Sequence, residues 1–358
     1  MRGRDDSVHR DLQRPPQPTL ARLAYQGLRV LRLPALARRL RDSGVILCYH
    51  NVVATTAASG EGDASLHLPL PVFERQVKWL VSRYNVMSLR EFMARLEGGD
   101  SLRHAAVLTF DDAYLGVFRH AWPVLQRLRL PATVFVVADA PARGQLYWWD
   151  HPLVQAAVTP ERRRTWLEDL RGDGSAILPS LSALQFPSRP ATSDPLRRCQ
   201  TPADWSTIAQ AARTGLAVGV HSLTHRSLPA LSDAELISEL VSSREIIERE
   251  TATTPEFFAY PYGLWDARVR DAVQSAGYQA AVTLDYGLNG AAADPLTLRR
   301  VNVPAGIADA TLEAWLVGLR LRRDPVSGID SSRDAGVPGA GGYGPTPRPR
   351  RRHPERAQ

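Results

Sequence analysis

The chain has 358 residues, 44% of them hydrophobic, which supplies core material for one large domain or two ordinary ones. Its net charge of +7 is concentrated at the ends. Residues 1–43 carry ten arginines against four aspartates, and residues 320–358 carry nine against three aspartates and one glutamate, leaving the middle at −4. An acidic middle argues against a nucleic-acid-binding core, two cysteines exclude a disulfide framework, and no run approaches the roughly 18–20 apolar residues of a spanning helix.

Residues 1–43 form a basic N-terminal segment. Within it, Thr19–Leu33 has helical periodicity, with Leu20, Leu23, Leu28 and Leu31 on one side and Arg22 and Arg29 opposite, until Pro34 breaks the pattern. Two readings fit equally: an interfacial helix on an anionic membrane, or a helix packed on its own domain. No secretory signal is visible. The expectation is a cytoplasmic protein, with peripheral contact on the inner face of the membrane through Thr19–Leu33.

Residues 44–319 repeat one theme, a short apolar run followed by an amphipathic helix. The runs are Val45–Tyr49, Ala106–Phe110, Thr133–Val137, Ala217–His221, Phe257–Pro261, Gln279–Thr283 and Leu298–Val303. Ser88 with Glu91, and Ser232 with Glu235, read as capping boxes, Gly98 as a helix stop, and Asp266 as a cap for a helix ending at Gly277. Strands separated by helices imply right-handed crossovers and a parallel sheet. About seven of them predict an α/β fold, a distorted (β/α) barrel of parallel strands.

Residues 139–205 interrupt the rhythm between the third and fourth predicted strands. They hold Tyr147-Trp148-Trp149-Asp150, a charged helix near Glu161–Leu170, and a Pro/Ser-rich stretch from Leu178 to Pro195. Such an insertion often forms a lid or substrate wall. The aromatic cluster reads chiefly as an anchor for the long loop, with Asp150 or His151 at the rim and Trp149 offered to substrate. Residues 320–358, rich in Gly and Pro, read as a flexible basic tail.

Three strands finish in polar residues, where a parallel barrel builds its active site. They are Leu108-Thr109-Phe110-Asp111-Asp112, His221-Ser222-Leu223-Thr224-His225, and Tyr260-Pro261-Tyr262-Gly263. Singly, each has an ordinary reading: a turn or cap for the Asp pair, surface histidines, a turn by composition. His-x-x-x-His is also a metal-ligand spacing on a helix face. Together they supply two imidazoles and a carboxylate, the three-ligand set of a catalytic zinc-type site, with a second carboxylate free to act as base.

These motifs resemble the polysaccharide deacetylase (NodB-homology, carbohydrate esterase) family over roughly residues 44–305. Weaker echoes are Leu47-Cys48-Tyr49-His50, Pro131-Ala132-Thr133-Val134-Phe135, Tyr147-Trp148-Trp149-Asp150 and Arg300. The resemblance implies that Asp112, His221 and His225 hold a divalent metal, zinc, and that Asp111 is the general base for water activated there. It further implies that the backbone N–H of Tyr262 helps stabilise the oxyanion formed from an N-acetyl sugar, with Pro261, Tyr262 and Trp149 contacting substrate. Ala259 stands where many relatives have an arginine before Pro-Tyr; Arg300 either replaces it or is an ordinary surface residue. After His225 the only histidine is His353, in the tail, so the acid is His50, a protonated Asp111 or water. His50 has the competing role of closing the barrel through a backbone carbonyl. The reaction expected is N-deacetylation of a glycan or its precursor. The alternatives are a catalytically silent glycan-binding scaffold on the same fold and an O-acetyl esterase.

Overall fold

A computed structural model of the chain describes residues 19–54, 62–182 and 199–321. Most of the basic tail, with His353, and part of the Pro/Ser-rich stretch lie outside the described residues. So do residues 1–18.

Ten strands are present among the described residues: β1 (Val45–Tyr49), β2 (Asn51–Val53), β3 (His67–Pro69), β4 (Asn85–Val86), β5 (Ala105–Phe110), β6 (Thr133–Val136), β7 (Ala217–Val220), β8 (Phe257–Ala259), β9 (Ala280–Tyr286) and β10 (Leu298–Asn302). Seven close into the expected barrel in the order β1-β10-β9-β8-β7-β6-β5, every pairing parallel. Closure comes from β1 against β5, in register from Val45 opposite Ala106 to Tyr49 opposite Phe110. These strands are buried on both faces, which is why they read as continuous apolar runs rather than as alternation. The pair β2–β3 and the two-residue edge strand β4 were not foreseen. They are too short for a periodic signal.

Helix caps behave largely as the sequence indicates. Ser232 and Glu235 form a reciprocal capping box, Ser88 accepts from Glu91 N, and Asp266 accepts from Val269 N. The stop after the helix Leu89–Gly98 is Gly99, whose φ of 75° is left-handed, rather than Gly98. This helix plugs the end of the barrel where the strands begin. Phe92, Met93 and Leu96 cluster with Ile46, Val107, Phe135 and Val282. A Cβ on Gly44 would lie 2.3 Å from the Phe92 ring, so this crossing tolerates only glycine. The opposite end, where the strands finish, is left for the site.

The insertion between β6 and β7 folds into short helices, Ala140–Arg143, Pro152–Ala157, Pro160–Glu168 and Gly174–Ser182, that rise over that open end. The N-terminal helix, Thr19–Val30, docks on the domain along Asp309–Trp315. Its anchor is not the leucine stripe. Tyr25 is fully buried and its hydroxyl accepts from Trp315 Nε1 at 3.0 Å and Leu321 N at 2.9 Å, while Arg29 pairs with Glu313 at 3.3 Å. Leu28 is partly covered, but Leu20, Leu23 and Leu31 stay 79%, 63% and 70% exposed. No helix among the described residues is long and apolar enough to cross a membrane.

Candidate active site

β5 delivers Asp111 and Asp112 to the mouth of the barrel. Two consecutive left-handed residues, Asp112 (φ 69°) and Ala113 (φ 49°), turn the chain there, so the two carboxylates leave the strand in different directions. Asp111 points to Arg300 of β10. The guanidinium grips it with two parallel bonds, NH1 to Oδ1 at 2.7 Å and NH2 to Oδ2 at 2.6 Å. Arg300 is itself fixed by Thr283 O at 2.8 Å and Thr109 Oγ1 at 3.2 Å. It is completely buried, which removes the surface-arginine reading. Burial alone would raise the Asp111 carboxyl. Arg300 and His221 outweigh it and hold the group well below the usual carboxylate range.

Asp112, His221 and His225 converge on a second point, with their ligand atoms all within 4.8 Å of one another. Asp112 Oδ1 lies 3.3 Å from His225 Nε2 and 3.6 Å from His221 Nε2. The two Nε2 atoms are 3.2 Å apart. The histidine segment is not helical, contrary to the reading of the i, i+4 spacing. It is an irregular turn in which Ser222 (φ 65°) and His225 (φ 60°) are both left-handed, and this double turn brings the two rings together. The turn is held by Glu239, a fully buried carboxylate of the helix Asp233–Thr251 that motif reading did not reveal. It accepts from Leu223 N and Thr224 N, both at 2.9 Å, from the Thr224 hydroxyl, and from Arg226 Nε at 3.1 Å. Its one signal in the sequence was an acidic residue on the inward face of a capped helix. Glu239→Ala is expected to weaken metal binding by about 10–100-fold, read by titrating the protein with Zn2+ and following bound metal.

A divalent cation fits this set on three observations. Asp112 Oδ1 is buried with no hydrogen-bond partner. His221 Nδ1 faces Ala259 O at 2.8 Å, so a proton held there leaves its Nε2 lone pair facing that of His225. Burial lowers both imidazoles into their neutral, ligating form and, together with Asp111 and Asp150, raises the Asp112 carboxyl, as expected of a site that needs a positive charge. Cys48, His50 and Asp111 also lie close together. That group suits a cation poorly, because Asp111 is committed to Arg300 and burial keeps the Cys48 thiol protonated, 3.4 Å from Asp111 Oδ2.

The remaining expected residues divide. His50 lines the cleft and makes no hydrogen bond to a described residue, so the barrel-closing role is not observed; burial pushes its imidazole down to about 4. Tyr262 has a left-handed backbone, φ 57°, unusual for a bulky aromatic, and its ring meets that of His225 edge-on at 4.4 Å. Pro261 starts the turn that carries Tyr262 and is not among the residues lining the cleft. Trp149 does line it, packed 4.5 Å from the His225 ring, and so does Trp148. Tyr147 anchors, donating to Asp112 O at 2.5 Å and stacking on Trp149. Asp150 is not at the rim. It is buried, accepting from Tyr114 OH at 2.6 Å and contacting His67 Nε2 at 3.1 Å. Tyr114 OH in turn accepts from Trp149 Nε1 at 2.8 Å. Asp63, Leu66, Arg163 and Leu284 complete the lining of the cleft. Motif reading missed these four, since none belongs to a recognisable pattern.

A paired, ionised carboxylate beside a cation-ready triad, at the mouth of a parallel barrel, defines a hydrolytic site. The family model for polysaccharide deacetylases matches residues 98–281, just over half of the chain. The chain belongs to the polysaccharide deacetylase family and is a hydrolase of that family. The Bacillus subtilis protein YxkH, which bears a polysaccharide deacetylase name, is 21% identical over 277 residues, 77% of this chain and 76% of its own. A Staphylococcus aureus poly-beta-1,6-N-acetyl-D-glucosamine N-deacetylase is 32% identical over 66 residues, 18% of this chain and 23% of that protein. Among solved structures, the Streptococcus pyogenes deacetylase PplD in complex with acetate superposes with a TM-score of 0.56 at 16% identity, covering 76% of this chain and 98% of that one. IcaB from Ammonifex degensii gives 0.53 at 20%, covering 77% and 98%. These two likenesses establish the fold.

Proposed function

We propose that the chain removes N-acetyl groups from a sugar or polysaccharide precursor, with a divalent metal, zinc, held by Asp112, His221 and His225. The observation that carries this reading is the separation of roles in the Asp pair: Asp112 Oδ1 is buried without a hydrogen-bond partner beside the two imidazoles, while Asp111 is held by two parallel bonds from Arg300. When bound, the metal supplies Lewis acidity, making water easier to ionise and an amide carbonyl easier to attack. Asp111 takes the water's proton. A carboxylate so stabilised by Arg300 is a weak base but, once protonated, a strong acid, so it also hands that proton to the departing amine. This assigns the acid to Asp111 rather than to His50, whose imidazole is neutral at pH 7. The Tyr262 N–H faces the developing oxyanion in this reading, and Trp149 provides a wall for the sugar ring. Acetate and a free amine leave.

The test is metal content and acetate release measured together on a panel of N- and O-acetylated glucosamine oligomers. Zinc bound at about one per chain, with acetate released from the N-acetyl members and lost on chelation, is the expected result. Release from the O-acetyl members alone would replace the reaction with ester hydrolysis, and a chain that binds no metal would remove it.

We also propose that the exposed leucines of the N-terminal region rest on an anionic lipid surface. Leu20, Leu23, Leu31 and Leu36 are exposed in company with Arg22, Arg29, Arg32 and Arg39, a composition that matches acyl chains below and phosphates around. Removing the whole segment would strip out Tyr25 and damage the fold. The double substitution Leu20→Asp and Leu23→Asp is therefore the test: wild-type protein is expected to float with phosphatidylglycerol liposomes and the variant to stay at the bottom. Equal flotation of the two would refute it.

A further inference from the structure

Arg163 is the one arginine among the described residues that lines the cleft. It sits on the insertion helix Pro160–Glu168, whose start is capped by Thr159 and whose other face is buried through Trp166 and Leu167. Trp166 meets Trp148 edge-on at 5.7 Å, so the helix is fixed to the wall of the site and the position of Arg163 is fixed with it. Its Nε is sealed from solvent and has no hydrogen-bond partner. Arg38 Nε is sealed in the same way but lies outside the cleft, and several other arginines have acidic partners. Arg300 has a bidentate carboxylate, and Arg75, Arg127, Arg171, Arg226, Arg268 and Arg270 each pair with an acidic side chain. The acidic group acting on Arg163 is Asp63, across the cleft, but Asp63 Oδ1 is already engaged by Ser65 N at 3.0 Å and Ser65 Oγ at 2.6 Å.

Arg163 is half-buried on the wall of the cleft with its Nε sealed and unpartnered, and a guanidinium positioned so firmly there is suited to a ligand that completes its pairing. The planar fork of arginine matches the oxygens of a phosphate or a carboxylate two at a time. We infer that Arg163 forms an acid-group subsite: the substrate carries an anionic oxygen group, phosphate or carboxylate, within reach of the same sugar whose N-acetyl group enters the metal site. This deepens the deacetylase reading and rests on it for the identity of the sugar. It makes the substrate an acidic N-acetyl sugar rather than a neutral homopolymer.

The test is equilibrium binding to the full chain, zinc-loaded, of three probes: N-acetylglucosamine 1-phosphate, N-acetylmuramic acid and methyl N-acetylglucosaminide. The wild type is expected to prefer at least one acidic probe over the neutral one by about tenfold or more, the usual scale for a charge-assisted pair. In Arg163→Gln that acidic-over-neutral ratio falls to about one, and in Arg163→Lys, which keeps the charge but loses the fork, it lies between. Preference for the phosphate probe identifies a phosphate-linked sugar, and preference for the muramic acid probe a carboxylate-bearing one. A wild type that binds all three alike overturns the inference without any variant being needed, as does a ratio unchanged in Arg163→Gln. Acetate release from the same probes separates the two readings. Turnover with no acidic preference removes the subsite and leaves the deacetylase, whereas an Arg163-dependent preference without turnover of any N-acetyl substrate does the reverse.

Discussion

Replacing Asp111 with asparagine is expected to leave the metal in place and to lower acetate release by about 10²–10⁴-fold, the range over which a positioned general base contributes. The substitution keeps the shape of the side chain and removes its ability to accept a proton. Metal content should survive because the ligand set is Asp112, His221 and His225, and none of the three depends on Asp111 for its tautomer. His221 faces Ala259 O through Nδ1, and the turn carrying both histidines is held by Glu239. The substitution also leaves the buried Arg300 charge without its carboxylate, retaining Thr283 O, Thr109 Oγ1 and the neutral amide oxygen of the new side chain. A drop in Tm is therefore expected alongside the loss of rate, and kcat must be taken per bound metal. A metal-loaded variant with a kcat within about tenfold of the wild type would show that Asp111 is not the base.

The barrel was legible because its strands are buried on both sides. Runs such as Ile46-Leu47-Cys48 and Val107-Leu108 stand out against amphipathic helices that announce themselves with Ser232 and Asp266. The Asp pair and both histidines were legible because they directly follow strands, where position in sequence gives position at the barrel mouth. How the histidines meet was not. The i, i+4 spacing suggested a helix face, but the rings converge through two left-handed residues, and nothing in Ser222-Leu223-Thr224 signals that turn. The leucine stripe of the first helix left two readings open, a lipid face or a docked face, and it was not the stripe that docked: Leu20, Leu23 and Leu31 stay exposed while one tyrosine with a satisfied hydroxyl does the anchoring. Asp63 and Arg163 come from a loop and an insertion far apart in the chain, so their meeting across the cleft is a product of tertiary structure alone.

Arg300→Met is expected to be the most damaging single substitution to stability, and its cost should depend on pH in a definite direction. Removing one partner of a buried ion pair typically costs about 3–5 kcal/mol, because the remaining charge is left uncompensated in a medium that solvates it poorly. In the wild type the folded-state pKa of Asp111 lies below its unfolded value, since Arg300 and His221 overcome the effect of burial. Its contribution to stability is therefore fully present above the unfolded carboxylate pKa of about 3.9 and is lost only as pH falls through the depressed folded value. Without Arg300, burial becomes the larger influence and the folded pKa moves above the unfolded one. The sign then reverses: the variant pays a penalty that is absent below about pH 4 and grows as pH rises through the unfolded pKa toward the raised folded one. Urea denaturation of metal-free protein at pH 4.5 and 7.5 checks this, with a smaller gap between wild type and variant expected at the lower pH. In kinetics the same change moves the acid limb of kcat/KM to higher pH, because Asp111 must be ionised to act. A gap in stability that is the same at both pH values would mean that Arg300 supports the barrel through its bonds to Thr283 and Thr109, and that its charge does not set the state of Asp111.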